Sequence, residues 1–433
     1  MTQIVPPKLF EVINTIYKNS LIKNSVYLIS NVGFSSIIGF AFWIIASRLY
    51  NVEDIGIATT LIALVSLIVL LSNLGFSASL MYYIPKQQFD NVELINSVNT
   101  VTVIISSCIS LAFISMVGFY SNELIFIQSS VIYVLVFLGT SITSTLCNIQ
   151  LAIFIGERKS EYELVKNVIA NVAKVSFLLV FISFGALGIF LSFGLSAVVA
   201  FLIGSLVLLP KAERNYLLKP HLDLALLRDV KKISLWNYIA DVLMTGPGFL
   251  FPIIITYLIN PSATGYFYVS WLIVSLVMVI PIAVSNSFLS EGSRGLGDVA
   301  ILLKRSLIFT FILILPIIGI LLLFGETILT LFGTQYASNS IFLLQILAVS
   351  CIPFAYNRLY ISLKRIQMQM GTVIIINSFI CLITFSCIYL SFNALGVLAV
   401  PLGWTIAQVL SASVIIVSQA LKSLILGKAP PCC

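Results

Sequence analysis

The chain is 433 residues long, 60% hydrophobic and only 9% charged, with a formal net charge of +7. A soluble domain carries roughly 25% charged residues, so a water-soluble globular protein is excluded and the solvent is lipid. The apolar runs are about twice the ~10-residue segments of a transmembrane barrel, which leaves helices, where every backbone polar group is satisfied internally.

Residues 1–24 hold Lys8, Lys18 and Lys23 and set Leu9, Val12, Ile13 and Ile16 on one helical face. They read as an amphipathic segment on the cytoplasmic membrane surface, without the separate apolar core and cleavage site of a signal peptide. Twelve apolar stretches follow, at 25–47, 56–84, 95–119, 125–155, 164–184, 186–209, 233–259, 265–289, 306–324, 341–362, 371–391 and 394–420. Each is near the ~20 residues that a hydrocarbon core of ~30 Å requires. The first six form an N-lobe over 25–210 and the last six a C-lobe over 233–421. Between them 211–232 is the longest polar segment; Leu222, Leu224, Leu227 and Val230 make it amphipathic, and it is expected to be a cytoplasmic linker helix. A tail, 422–433, ends in Cys432-Cys433, an ordinary chain end or a lipid acceptor. Cys108, Cys147, Cys351, Cys381 and Cys387 fall inside spans as small apolar residues. With a single histidine, His221, and no clustered loop cysteines, no metal and no cofactor are expected.

Orientation follows from the loops. With the N-terminus in the cytoplasm, cytoplasmic segments hold 21 of the 23 lysines and arginines, leaving Arg48 outside and Lys174 within a span. The positive-inside rule then puts both termini in the cytoplasm of a multi-pass plasma-membrane protein. Basic inner loops facing anionic lipid heads account for the net charge, so membrane lipids and no nucleic acid are the expected partners.

The chain repeats itself at an offset of 208–209 residues. Arg48-Leu49-Tyr50-Asn51-Val52-Glu53-Asp54-Ile55-Gly56 after the first span matches Tyr257-Leu258-Ile259-Asn260-Pro261-Ser262-Ala263-Thr264-Gly265 after the seventh at its leucine, asparagine and glycine. Phe184-Gly185-Ala186-Leu187-Gly188 matches Phe392-Asn393-Ala394-Leu395-Gly396, equating Gly188 with Gly396. Six spans per half make a parallel repeat about the membrane normal, suited to alternating access.

Charges at the bilayer centre cost at least ~2.5–3.5 kcal/mol each. Counting from cytoplasmic loops puts Lys174 and Asp241 near the midplane at similar depth, ~16 and ~14 Å in. Asn167, Asn171 and Lys174 share a face of the fifth span; Asn237, Asp241 and Thr245 share one of the seventh. Asn24 and Asn31 share a face of the first, and Ser141, Ser144 and Asn148 one of the fourth. These stripes face protein or water. Two readings stay open: a wet cleft that binds cargo, or glue between helices, with Lys174 and Asp241 as an ion pair. Arg48 and Arg358, toward span ends, read as interfacial anchors before ligands. Gly246-Pro247-Gly248, Pro252, Pro281, Pro353 and Pro401 interrupt spans of the C-terminal half, which is expected to bend more.

Ala46-Ser47-Arg48-Leu49-Tyr50 with Glu53-Asp54-Ile55-Gly56 resembles the first outer turn of polysaccharide flippases of the multidrug/oligosaccharidyl-lipid/polysaccharide exporter superfamily. Leu74-Gly75-Phe76-Ser77-Ala78-Ser79-Leu80 with Tyr83-Ile84-Pro85-Lys86 resembles the same family. So does Gly265-Tyr266-Phe267 leading to Ile280-Pro281 and the basic loop at Arg294. The resemblance covers about Lys23 to Lys422, and its motifs are packing and turn motifs that carry no catalytic residue. It implies twelve transmembrane helices in two six-helix lobes forming a V-shaped central cleft, and a cargo of polyprenyl-(pyro)phosphate-linked glycan. Glycan polymerase or glycosyltransferases are its candidate protein partners. Many members have fourteen spans, and this chain has room for twelve. A multidrug or cation exporter of the same superfamily, coupled to proton or sodium, is the alternative. A permease of the other large twelve-span class would carry an acidic-glycine-arginine motif where Lys86-Gln87-Gln88-Phe89-Asp90 stands. A membrane enzyme would need paired acids in an outer loop, where only Glu53-Asp54 is found.

Overall fold

The computed structural model describes residues 20–426 apart from 121, 214–215 and 294–297. Most of the amphipathic segment expected at the N-terminus, the Cys432-Cys433 tail and Arg294 lie outside the described residues. The helices are α1 Ser20–Leu49, α2 Val52–Asn73, α3 Phe76–Tyr83, α4 Asn91–Tyr120, α5 Val131–Gly156, α6 Ser160–Val180 and α7 Ala186–Ile203. There follow α8 Leu224–Leu258, α9 Pro261–Ser293, α10 Val299–Thr330, α11 Thr334–Ile366, α12 Met370–Leu395 and α13 Ala399–Leu426.

Ten segments among the described residues are long and apolar enough to cross a membrane, rather than the twelve expected. Two physical reasons account for the difference. Met370–Ala420 is one apolar segment that holds two helices, α12 and α13. Helix α6 has 21 residues but carries Glu161, Glu163, Lys166 and Lys174, too many charges for an apolar window. Large side chains such as Ile29, Val131, Leu323 and Leu390 are 73–80% exposed, the outward apolar surface that a lipid solvent calls for.

The chain forms two compact units: Met1–Phe42 with Leu64–Tyr238, and Trp43–Ala63 with Ile239–Cys433. In the first, α2 ends where Leu74 and Gly75 turn left-handed, at φ 46° and 83°. The expected span 56–84 is therefore broken. Asn73 secures the break, accepting from Ser77 N at 3.1 Å and donating to Ser77 Oγ at 2.7 Å. Helix α7 runs on through a π turn, Gly204–Leu208. Gln150 of α5 explains it: its Nε2 donates to Phe201 O at 3.3 Å and Ser205 Oγ at 2.9 Å, entering the ladder of α7. Gly204 leaves room for that side chain.

The linker is corrected in part: 224–232 are helical, as the first turns of α8. Residues 216–223 are not helical; they lie along a polar face of α4. Asn96 donates to Leu217 O at 3.0 Å, and Thr100 Oγ1 and Ser97 Oγ accept from His221 N at 3.1 Å and Asp223 N at 3.3 Å. Pro220 cannot join a helical ladder, and α4 supplies the partners that a helix would have supplied itself.

In the second unit the turn between α1 and α2 packs on the turn between α8 and α9 reciprocally. A Cβ on Gly56 would strike the Pro261 carbonyl, and one on Gly265 would lie 2.6 Å from Val52 O. Gly56 and Gly265 stand 209 apart in sequence, as do Val52 and Pro261, so each turn uses the same two positions on the other. Reciprocity of this kind marks a local two-fold relation. Thr60, Thr256 and Thr264 join hydroxyls behind it, at 2.6 and 2.8 Å. Two other turns also recur. Arg158 before α6 and Met368 before α12 both have φ 56°. Gly185 has φ 56°, ψ −136° and Gly396 φ 54°, ψ −131°. The expected pairing of Gly188 with Gly396 is thereby corrected: Gly185 shares the backbone state of Gly396, while Gly188 is an ordinary buried helical residue.

Pro247, Pro252, Pro281 and Pro353 lie inside continuous helices. Pro401 falls in the first turn of α13, where a missing N–H costs nothing.

Candidate functional site

Helices α1 and α6 share a polar seam in the first unit. Ser160 N donates to Asn24 Oδ1 at 3.1 Å, Asn167 Nδ2 to Asn31 Oδ1 at 3.0 Å and Asn171 Nδ2 to Ser35 Oγ at 3.3 Å. Each pair is separated by 136 residues, so the two helices run parallel and in register. Asn148 accepts from Asn73 Nδ2 at 2.7 Å. Asn31, Asn167, Asn171 and Asn148 therefore join helices, as amides do in lipid.

Beside this seam lies an ion pair absent from the sequence expectations. Lys166 Nζ is 2.7 Å from Glu163 Oε2, with the side chains only 1% and 4% exposed. The ammonium also reaches Cys147 O at 3.3 Å and Gln150 Oε1 at 3.4 Å. Asn167 Nδ2 donates to Glu163 Oε1 at 2.9 Å. A buried pair tolerates its desolvation only when its remaining donors and acceptors are engaged, and here they are. Both residues adjoin a basic loop in sequence; the signal that could have exposed them is their i,i+3 spacing.

Lys174 lies just under one turn beyond Asn171. Its Nζ sits 5.1 Å from the centroid of the Phe42 ring, a cation–π contact. Among the described residues no carboxylate lies in ion-pair range of it. It stands six residues from the Val180 end of α6, whereas Asp241 stands six residues into the segment that starts at Leu235. The similar depth expected from loop counting does not follow from the helix bounds, because that count began at Glu163, already buried inside the bundle.

In the second unit Asp241 Oδ1 accepts from Arg365 Nη2 at 2.8 Å. Arg365, which the loop count assigned to the cytoplasm, is the last basic residue of the 33-residue helix α11. Thr245 Oγ1 donates to Asp241 O at 2.7 Å, within its own helix, and Asn237 is exposed. Arg48 donates to Leu331 O at 2.9 Å and Thr330 O at 2.5 Å, capping the carbonyl end of α10. Arg358 touches Met244 Sδ. Among the described residues the second unit thus pairs Asp241 with Arg365 and leaves Arg358 with no acid in ion-pair range.

Residues 21–290 match the model of a family described as polysaccharide biosynthesis protein. A search of curated proteins finds no match. The fold resembles an inward-facing multidrug resistance MATE family transporter of the MOP superfamily, with TM-score 0.66 and 16% identity over 90% of this chain and 99% of that one. An outward-facing counterpart gives TM-score 0.64 and 15% identity over 94% and 96%. A MOP superfamily transporter from Pyrococcus furiosus, whose binding pocket is described as of reverse polarity, gives 0.62 and 16% over 95% and 96%. At such identities the likeness is one of fold.

Proposed function

We propose, because the chain belongs to the polysaccharide biosynthesis protein family, that it carries a polyprenyl-(pyro)phosphate-linked oligosaccharide across the membrane by alternating access. Its fold, that of MOP-superfamily transporters, supports transport over enzymatic chemistry. The observation that carries the reading is Lys174, a cation in a membrane helix with no carboxylate in ion-pair range among the described residues. A lipid pyrophosphate carries about two negative charges, and bare passage through ~30 Å of hydrocarbon is prohibitive. An ammonium with three donors is a fitting partner, and the Phe42 ring holds it without neutralising it. Asp241 rests against Arg365 at 2.8 Å, so its charge does not compete with the cargo for Lys174. With a negative cell interior, exporting a dianion gains roughly twice the ~2.3 kcal/mol per charge per 100 mV, so no ion gradient is strictly required.

A cation exporter is disfavoured by the charge inventory of the spanning helices. Such a protein needs free acids inside the membrane, and Glu163 and Asp241 each hold a basic partner. The test is Lys174→Met in a glycan-export complementation assay, with membrane levels of the protein measured alongside. Export should fall at least tenfold at unchanged protein level. Normal export at a normal level removes the phosphate role, and efflux of cationic dyes by the wild-type chain would favour the exporter.

A further inference from the structure

The second unit forms a small, half-open chamber between α8, α11, α12 and α13. Its lining includes Met244, Asn357, Arg358, Asn377, Trp404 and Gln408. The space measures ≈20 Å³, and about 10–15 Å³ measured this way holds one water molecule. The chamber therefore suits an occupant of one heavy atom, and a phosphate or a sugar ring is too large.

Its charge is unbalanced. Arg358 is always protonated, and its one hydrogen bond among the described residues goes to Met244 Sδ, a weak and uncharged acceptor. Asp241, three residues from Met244 on α8, is engaged by Arg365 at 2.8 Å. Two further polar atoms of the lining residues are buried without a partner: Trp404 Nε1 and Asn357 Oδ1. Trp404 and Asn357 are 5% and 2% exposed. The indole orientation is set by packing against Phe251, Trp271 and Phe354, with ring centroids 5.8–6.3 Å away. Asn357 is fixed by donating to Gln408 Oε1 at 2.8 Å and to Gln408 O at 3.0 Å, which leaves its oxygen free.

A guanidinium and an indole N–H can only donate. A cation is repelled by Arg358, and a water molecule leaves this half-buried charge without a counter-ion. We propose that the chamber is a binding site for a single-atom anion, a halide such as chloride, held by Arg358 and Trp404 Nε1. Asn357 Oδ1 accepts from a remaining guanidinium N–H or from water beside the ion. The halide neutralises α11 and joins the four helices of the chamber. It is distinct from the cargo of the preceding section and does not rest on that reading.

The test uses the purified full-length chain in detergent at constant ionic strength and pH, with chloride, bromide or iodide replaced by isethionate, an anion too large to enter. Trp43, Trp236 and Trp271 are replaced by Phe, so that Trp404 alone reports; Trp236, 63% exposed, would otherwise be quenched by simple collision. Bromide and iodide should quench Trp404 saturably, chloride should compete, and each halide should raise the thermal midpoint of the wild-type chain above its value in isethionate. Arg358→Gln should weaken halide binding at least tenfold, with Arg358→Lys between the two. Quenching strictly linear in iodide, or unchanged in a folded Arg358→Gln protein, overturns the site. Should that variant not fold, a wild-type chain equally stable in chloride and isethionate overturns it as well.

Discussion

Asn91, the first residue of α4, donates to two carboxylates at once: Glu157 Oε1 at 3.4 Å and Glu213 Oε2 at 3.2 Å. One neutral amide cannot compensate two negative charges. Burial, then the hydrogen bond and charge of Glu213, push Glu157 from 4.5 up to about 7, against the pull of Lys159. Glu157 follows the last residue of α5 and lies outside its spanning segment. An acid raised in this way binds its proton more tightly folded than unfolded. Its contribution to stability is complete below the ordinary value of 4.5 and is lost as the pH rises through about 7. The thermal midpoint of the purified chain should fall between pH 5 and pH 8, and Glu157→Gln should flatten that slope; an equal slope in the variant removes the carboxyl pair as its source. The pair was not legible in the sequence, because its members lie on separate loops that only the fold brings together. Lys174 and Asp241 were legible as isolated charges in apolar runs. Their surroundings were not: Lys166 and Arg365 sit where apolar helix passes into basic loop, and residue counting cannot say how far a helix continues past the hydrocarbon.

Among the helices and turns, close approach of backbones does what large apolar side chains do in soluble cores. Lipid offers no hydrophobic drive between helices, so small residues and hydroxyls set their contacts. The reciprocal turns of the second unit depend on this. Gly56→Val would place its side chain against the Pro261 carbonyl and should destabilise the chain by about 1–3 kcal/mol, as overpacking does. The readout is the thermal midpoint of the purified protein, with Gly39→Ala as control, since nothing lies within 4 Å of a Cβ there. Equal midpoints for Gly56→Val and the wild-type chain would show that the turns are not a rigid joint. The Gly56–Gly265 correspondence could be read from sequence because leucine, asparagine and glycine keep their spacing across a turn of fixed length. Gly188 was matched to Gly396 for the opposite reason: four of five aligned residues are identical there, but identity among apolar residues carries little information in so apolar a chain. The requirement for positive φ is the stronger constraint, and it selects Gly185.

At the scale of the whole molecule the open quantity is which way the chain threads the bilayer, and the helix pairings constrain it. Helices α1 and α6 run parallel, by the constant spacing of Asn24, Asn31 and Ser35 against Ser160, Asn167 and Asn171. In the second unit Asn377 Nδ2 donates to Ala240 O at 3.1 Å, joining α12 to α8, and these stand in the second half where α6 and α1 stand in the first. If the N-terminus is cytoplasmic, α1, α6, α8 and α12 all leave the cytoplasm. The turns at Arg158 and Met368 then share the inner side, and those at Gly185 and Gly396 the outer side. Each Lys or Arg near an anionic inner leaflet gains about 1 kcal/mol, so the skew of basic residues to one set of loops in the sequence predicts that sense. In a chain whose seven cysteines are replaced, Ser338→Cys and Asn122→Cys should react with a membrane-impermeant thiol reagent added to intact cells. Arg214→Cys and Arg294→Cys should react only after the membrane is opened. Labelling of Arg214→Cys in intact cells would invert the topology. It would also turn the membrane potential against outward movement of an anion, and the glycan-export reading would fall with it.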